Sequence, residues 1–152
     1  MSPIADLVPH RGPMCLLDGL VEAGEEHLIA EVTPRRDDLF ASAEGIPAWV
    51  GIEWLAQAIA AWSGRRALAA GGTPRIGFLL GSRRYRCRVA HFAFDRPVRV
   101  EITLDYLADN GLGAFRGCLR SQEGAPLAEA TLNAFEPDSP ETLAAMQEDS
   151  RS

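Results

Sequence analysis

Residues 45–70 read GIPAWVGIEWLAQAIAAWSGRRALAA, and this segment constrains the fold more than any other. From Val50 to Trp62 nearly every residue is apolar or small. A helix that is apolar all round has no face to give to water and must be enclosed by other elements. One acid, Glu53, and one amide four residues later, Gln57, interrupt it. Burying a carboxylate is costly unless it is paired or protonated. An acid in this setting either satisfies neighbouring donors or does chemistry.

The 152 residues suffice for one domain with a sizeable core. A hydrophobic fraction of 47% and a charged fraction of 24% fit an ordinary globular chain. The net charge of -6 argues against nucleic acid as a partner. Glu53, Gln57 and Arg65 interrupt the best candidate for a membrane span, so none is expected. MSPIADLVPH lacks the pattern of a secretory signal, and the expected compartment is the cytoplasm. Cys15, Cys87 and Cys118 stand alone, without metal or redox spacing, and read as small buried hydrophobes. With three scattered histidines, no metal site is expected. All fifteen basic residues are arginine. The absence of lysine excludes Schiff-base chemistry and a Walker-type phosphate loop.

Met14–Ala23 and His27–Thr33 read as strands about a Gly24-Glu25-Glu26 turn. Residues 34–48 form a loop into a helix from about Val50 to Ala70, stopped by Gly71-Gly72-Thr73-Pro74. Four more strands are expected, at Arg75–Val89, Arg96–Leu107, Leu112–Ser121 and Leu127–Phe135. Residues 1–136 make one domain, and 137–152 an acidic C-terminal tail. Strands that cluster rather than alternate with helices predict an α+β fold, with one antiparallel sheet wrapped around one long central helix. Such a sheet keeps an open edge, for which pairing into a dimer is the usual remedy.

Two motifs carry a family resemblance. Pro9-His10-Arg11-Gly12-Pro13-Met14-Cys15-Leu16-Leu17-Asp18 resembles the PHRxPxLLxD opening of bacterial 3-hydroxyacyl-ACP dehydratases of the hot-dog superfamily. Ile52-Glu53-Trp54-Leu55-Ala56-Gln57-Ala58 resembles their helix motif. Phe92 and Arg96-Pro97-Val98 are similar in spacing to their RPV-like turn. The likeness spans Leu7 to Phe135 and is greatest to the dehydratase-like proteins of aryl-polyene biosynthesis. It implies a single hot-dog domain and removal of water from 3-hydroxyacyl thioesters carried on the phosphopantetheine of an acyl carrier protein. It implies no other cofactor, and a homodimer or a heterodimer with a paralogous hot-dog dehydratase.

The resemblance makes Glu53 the catalytic acid. The family also places a histidine in a GHFPGxP-like loop before the helix, whereas residues 39–47 read LFASAEGIP and contain none. His10 is the best substitute base on the chain, unless it only anchors the N-terminal segment. His91 reads as a surface or turn residue. Val50 and Gly51 lie where backbone N–H groups at a helix start could polarise a thioester carbonyl, though Gly51 could equally serve close packing. Trp49, Trp54, Gln57, Phe78 and Leu79 are candidates for lining an acyl tunnel, the tryptophans being more often core. Arg84, Arg86 and Arg88 alternate, so on a strand they share one face, either docking an acidic carrier and its phosphate or simply solvated. Two other functions stay open: a catalytically degenerate hot-dog subunit that stabilises an active partner, and an acyl thioesterase.

Overall fold

The computed structural model describes residues 16–69, 78–108 and 111–135. His10, the rest of the Pro9–Cys15 stretch, the expected helix stop at 71–74 and the tail 137–152 lie outside the described residues. Eight strands and one helix follow in the order β1 (Gly19–Ala23), β2 (His27–Val32), β3 (Ile46–Pro47), α1 (Val50–Ala69), β4 (Phe78–Cys87), β5 (His91–Phe92), β6 (Val98–Leu107), β7 (Leu112–Ser121) and β8 (Pro126–Phe135). Six strands form one sheet in the order β1-β2-β6-β7-β8-β4, and every neighbouring pair is antiparallel. This is the expected α+β, hot-dog arrangement of one sheet about one helix.

Period-two alternation decides which face of the sheet meets the helix. Leu28, Ala30 and Val32 of β2 point inward, as do Val98, Val100 and Ile102 of β6. Phe115 and Leu119 of β7, with Ala128, Ala130, Leu132 and Ala134 of β8, continue the same layer. Against it lie Trp54, Leu55, Ala58, Ile59, Ala61 and Trp62 of α1. Trp54 packs on Phe92 with ring centroids 4.7 Å apart, and Trp62 meets Phe115 edge-on at 5.4 Å. A helix buried on nearly all sides answers the all-round apolar composition.

Three polar tethers fix the helix within the sheet. The Leu16 N–H donates to the Gln57 Oε1 at 2.9 Å in a fully buried setting. The Trp62 Nε1 donates to the Glu25 carbonyl, at the turn between β1 and β2, at 3.0 Å. The Tyr85 hydroxyl donates to the Ala48 carbonyl at 2.6 Å, joining β4 to the residues that lead into α1.

The first strand is shorter than Met14–Ala23 suggests. Leu16 and Leu17 are buried, but the Leu16 N–H goes to the helix amide instead of to a strand. Asp18, which ends the opening motif, accepts the Thr33 N–H at 2.7 Å and closes the far end of β2. The loop 34–48 contains a strand that the sequence hides. Ile46–Pro47 pairs with His91–Phe92 in a separate two-stranded ladder, too short to leave a periodic signature. Gly45 permits it: its φ is +148°, and a Cβ there would lie 2.5 Å from the Phe92 carbonyl oxygen.

Gly51 is the second glycine that packing requires. A Cβ at this position would collide with the Tyr85 hydroxyl and come within 2.7 Å of Leu119 Cδ1. Gly51→Ala is therefore expected to cost about 1–3 kcal/mol through overpacking. Chemical denaturation reads this directly, and an unchanged midpoint would show that the junction of α1, β4 and β7 has room to spare.

Candidate functional site

The sheet does not cover α1 completely. Trp49, Ile52, Glu53 and Ala56 follow the i, i+3, i+4, i+7 spacing of a single helical face. Trp49 is 58% exposed and the other three are half-buried, while Val50, Trp54, Leu55 and Gln57 between them are buried. The open stripe is apolar except for its one acid. Phe40 meets Trp49 edge-on at 5.3 Å, and the adjacent Leu39 is 61% exposed. The apolar surface thus continues from the helix onto the loop before it.

Glu53 lies in the first turn of α1 and makes no hydrogen bond or ion pair with any described residue. The tight turns at the helix start already occupy two of the nearby donors. The Gly51 N–H donates to the Ala48 carbonyl at 3.1 Å and the Ile52 N–H to the Trp49 carbonyl at 3.3 Å. Gly51 therefore does not offer the free N–H expected of it. It serves close packing, and any polarising role at this end passes to Val50 and to the helix dipole.

The other predicted site residues divide by burial. Trp54 and Gln57 are 0% exposed, so within this chain they are packing and anchoring positions rather than lining ones. Gln57 holds Leu16, and Trp54 stacks on Phe92. Trp54 Nε1 is buried without a hydrogen-bond partner among the described residues. Phe78 and Leu79 open β4 opposite Phe135 and Ala134 of β8, away from the helix start that Tyr85 of the same strand reaches. Arg84, Arg86 and Arg88 do share an exposed face. Arg88 is engaged by Glu129 at 3.5 Å, whereas Arg84 and Arg86 have no ion-pair partner among the described residues. Cys87 and Cys118 are half-buried free thiols: Cys87 packs against the margin of the core, and Cys118 lies on the outer face of the sheet.

His91 is misread by the sequence as a surface or turn residue. It sits on β5 opposite Pro47, three residues before α1, with Nδ1 3.4 Å from Glu44 Oε2. Its neighbour Phe92 packs on Trp54, the residue after Glu53. His91, Phe92, Arg96 and Leu127 line a cleft of about 390 Å³ that Glu53 does not reach. No sequence signal marks His91, since the pairing that brings it to the helix start is two residues long. Among the described residues no group of three or more His, Cys, Asp or Glu side chains could hold a metal ion.

Burial, and after it the charge of Cys87 and a hydrogen bond with Cys87, push the Tyr85 hydroxyl well above its usual value of about 10. The folded chain keeps this proton where the unfolded chain has released it. The contribution of Tyr85 is fully present below pH about 10 and is lost as pH rises beyond it. Tyr85→Phe should flatten the fall in stability over that alkaline range. It should also cost about 0.5–1.5 kcal/mol at neutral pH through the lost bond to Ala48. Denaturation midpoints measured across pH test both, and parallel profiles for the two proteins would refute the first. Gln57→Leu, which leaves the Leu16 N–H buried and unpaired, should cost about 1–3 kcal/mol. It should also speed hydrogen exchange at the Leu16 amide, and unchanged protection there would remove Gln57 as its anchor.

Comparison with known proteins places this geometry. The chain superposes on a structure described as the dehydratase heterocomplex ApeI:P from Xenorhabdus doucetiae with a TM-score of 0.86 and 30% sequence identity, covering 96% of this chain and 98% of that one. A hypothetical thioesterase from Streptococcus pneumoniae, solved with coenzyme A, matches with a TM-score of 0.59 at 13% identity, over 77% of this chain and 83% of that one. The PaaI protein of E. coli matches with a TM-score of 0.60 at 8% identity, over 77% and 81%. These two similarities concern the fold alone. No curated protein matches the chain. The family model of the ApeP dehydratase matches residues 2–146, nearly the whole length. The chain belongs to the ApeP-like dehydratase family.

Proposed function

We propose that this protein is one subunit of a two-chain dehydratase that removes water from carrier-bound 3-hydroxyacyl thioesters in aryl-polyene biosynthesis. The observation that carries this reading is the uncovered stripe of α1. Glu53 has no partner among the described residues and lies between Trp49, Ile52 and Ala56, on a face that a second surface would cover. An apolar stripe with one acid at its centre becomes a water-poor cleft once covered. A second hot-dog chain is the natural cover, since the similar Xenorhabdus doucetiae structure is described as a heterocomplex. We place the pair in the cytoplasm. It needs no metal or organic cofactor beyond the phosphopantetheine that carries the substrate.

In the reaction a base takes a proton from C2 of the acyl chain. Glu53 gives its proton to the C3 hydroxyl, which leaves as water, and the C2–C3 double bond forms. The thioester carbonyl, which carries charge as the C2 proton departs, rests against the positive end of α1 near Val50. The base comes from His10 or from the paired chain, because the loop 39–47 has no histidine.

The absent loop histidine also favours a second reading. In it this chain is a catalytically degenerate subunit that stabilises an active partner. One experiment separates the two. The purified pair is incubated with a 3-hydroxyacyl carrier thioester and the acyl mass is followed. Wild-type pairs should lose one water, and Glu53→Gln in this chain should slow that loss by about 10²-fold or more without dissolving the pair. His10→Ala should do the same if His10 is the base. Full activity with both substitutions would leave the chain as the stabilising subunit. Release of free thiol without an enoyl product would make it a thioesterase instead.

A further inference from the structure

Tyr85 reaches the turn that carries Glu53 from behind. Its strand, β4, stands at the edge of the six-stranded sheet, beside β8. Along it Arg84, Arg86 and Arg88 face outward and are exposed, while Tyr85 and Cys87 face inward and are half-buried. The Tyr85 hydroxyl donates to the Ala48 carbonyl at 2.6 Å. The same carbonyl accepts the Gly51 N–H at 3.1 Å, so one oxygen joins the strand to the first turn of α1. Ala48 in turn donates its N–H to the Ala90 carbonyl at 3.0 Å, which continues the short β3–β5 ladder. Two residues before the helix, the chain is thus held at both backbone polar groups of one residue.

The hydroxyl and the glycine are matched. A Cβ at Gly51 would collide with the Tyr85 hydroxyl and lie 2.7 Å from Leu119 Cδ1 and 3.2 Å from Phe92 Cζ. Side chains of β4, β5 and β7 therefore meet at the back of the first turn. Glu53 is two residues on, about 200° round the helix axis, and stands at the front of the same turn. With no hydrogen bond or ion pair to a described residue, its carboxyl goes where the turn goes.

We propose that Tyr85 is a positioning residue for dehydration: its hydroxyl, acting through Ala48 and the first turn of α1, sets where the Glu53 carboxyl meets the substrate hydroxyl. The assignment rests on the reading of Glu53 as the acid. Burial keeps the proton on Tyr85 far into the alkaline range, so the donor is present wherever the reaction runs. A misplacement of about 1 Å can cost about 10²-fold in rate, so a tether of modest worth to the fold can weigh heavily on turnover. Trp62 supplies the comparison. Its Nε1 ties α1 to the Glu25 carbonyl, more than two helical turns beyond Glu53.

Steady-state kinetics of the purified pair test this. Tyr85→Phe should lower kcat about tenfold and leave KM within about twofold. Trp62→Phe, which also removes a hydrogen bond to α1, should leave kcat within about twofold of wild type. In a chain that already carries Glu53→Gln, Tyr85→Phe should add less than about twofold, because the group it positions is gone. In the full-length chain, residual dipolar couplings of the Gly51, Ile52 and Glu53 amides should change with Tyr85→Phe, while those from Leu55 to Ala61 keep their values. Equal losses of kcat from Tyr85→Phe and Trp62→Phe would reduce Tyr85 to a tether of the fold. Losses from Tyr85→Phe and Glu53→Gln that multiply, or unchanged couplings at the turn, would overturn the proposal and leave Glu53 as the acid. Full turnover with Glu53→Gln would overturn the acid reading and the proposal together.

Discussion

A helix with no polar face sets the terms for everything around it. From Val50 to Gly64 almost nothing on α1 is suited to water, so the chain must build a wall around it. Six antiparallel strands do this, and their inward residues alternate with the outward ones along β2, β6, β7 and β8. The wall is one sheet, and it reaches only part of the way round. What it leaves open is the stripe that begins at Trp49 and holds Glu53. The feature that makes the helix a core element and the feature that makes it a candidate site are thus the same apolar surface, covered in one place and uncovered in another.

The polar groups of the helix are few, and their partners separate structure from chemistry. Gln57 and Trp62 tie the segment at Leu16 and the β1–β2 turn to α1. Tyr85 ties β4 to the approach to α1, and Gly51 leaves room for its hydroxyl. Glu53 and the Trp54 Nε1 have no partner among the described residues. Being half-buried, the Glu53 carboxylate keeps access to solvent, which a fully buried acid would lack.

The outer face of the sheet follows a different logic. Three of its acids, Glu129, Asp105 and Glu101, are engaged by Arg88, Arg116 and Arg120, while Arg84 and Arg86 of β4 have no ion-pair partner among the described residues. Such a pattern emerges only when strands are set side by side. Arg84 and Arg116 are 32 positions apart in the sequence and two strands apart in space.

Much of this was legible in the residues. The apolar run from Val50 fixed the central helix, alternation located β2, β6, β7 and β8, and the IExxAQ-like run with the opening motif pointed to the dehydratases. Composition and periodicity act over neighbouring residues, which is why they survive in the sequence. The tertiary structure alone decided which helical stripe stays open, because that depends on how far a twisted six-stranded sheet can wrap. It alone gave Gln57 to Leu16 and Trp54 to Phe92 as anchoring and packing partners. It brought His91 to the helix start through a two-residue strand pair. It also set Arg88 against Glu129 and left Arg84 and Arg86 without an ion-pair partner among the described residues. Register and burial are properties of pairs of residues far apart in the chain, and no local pattern records them.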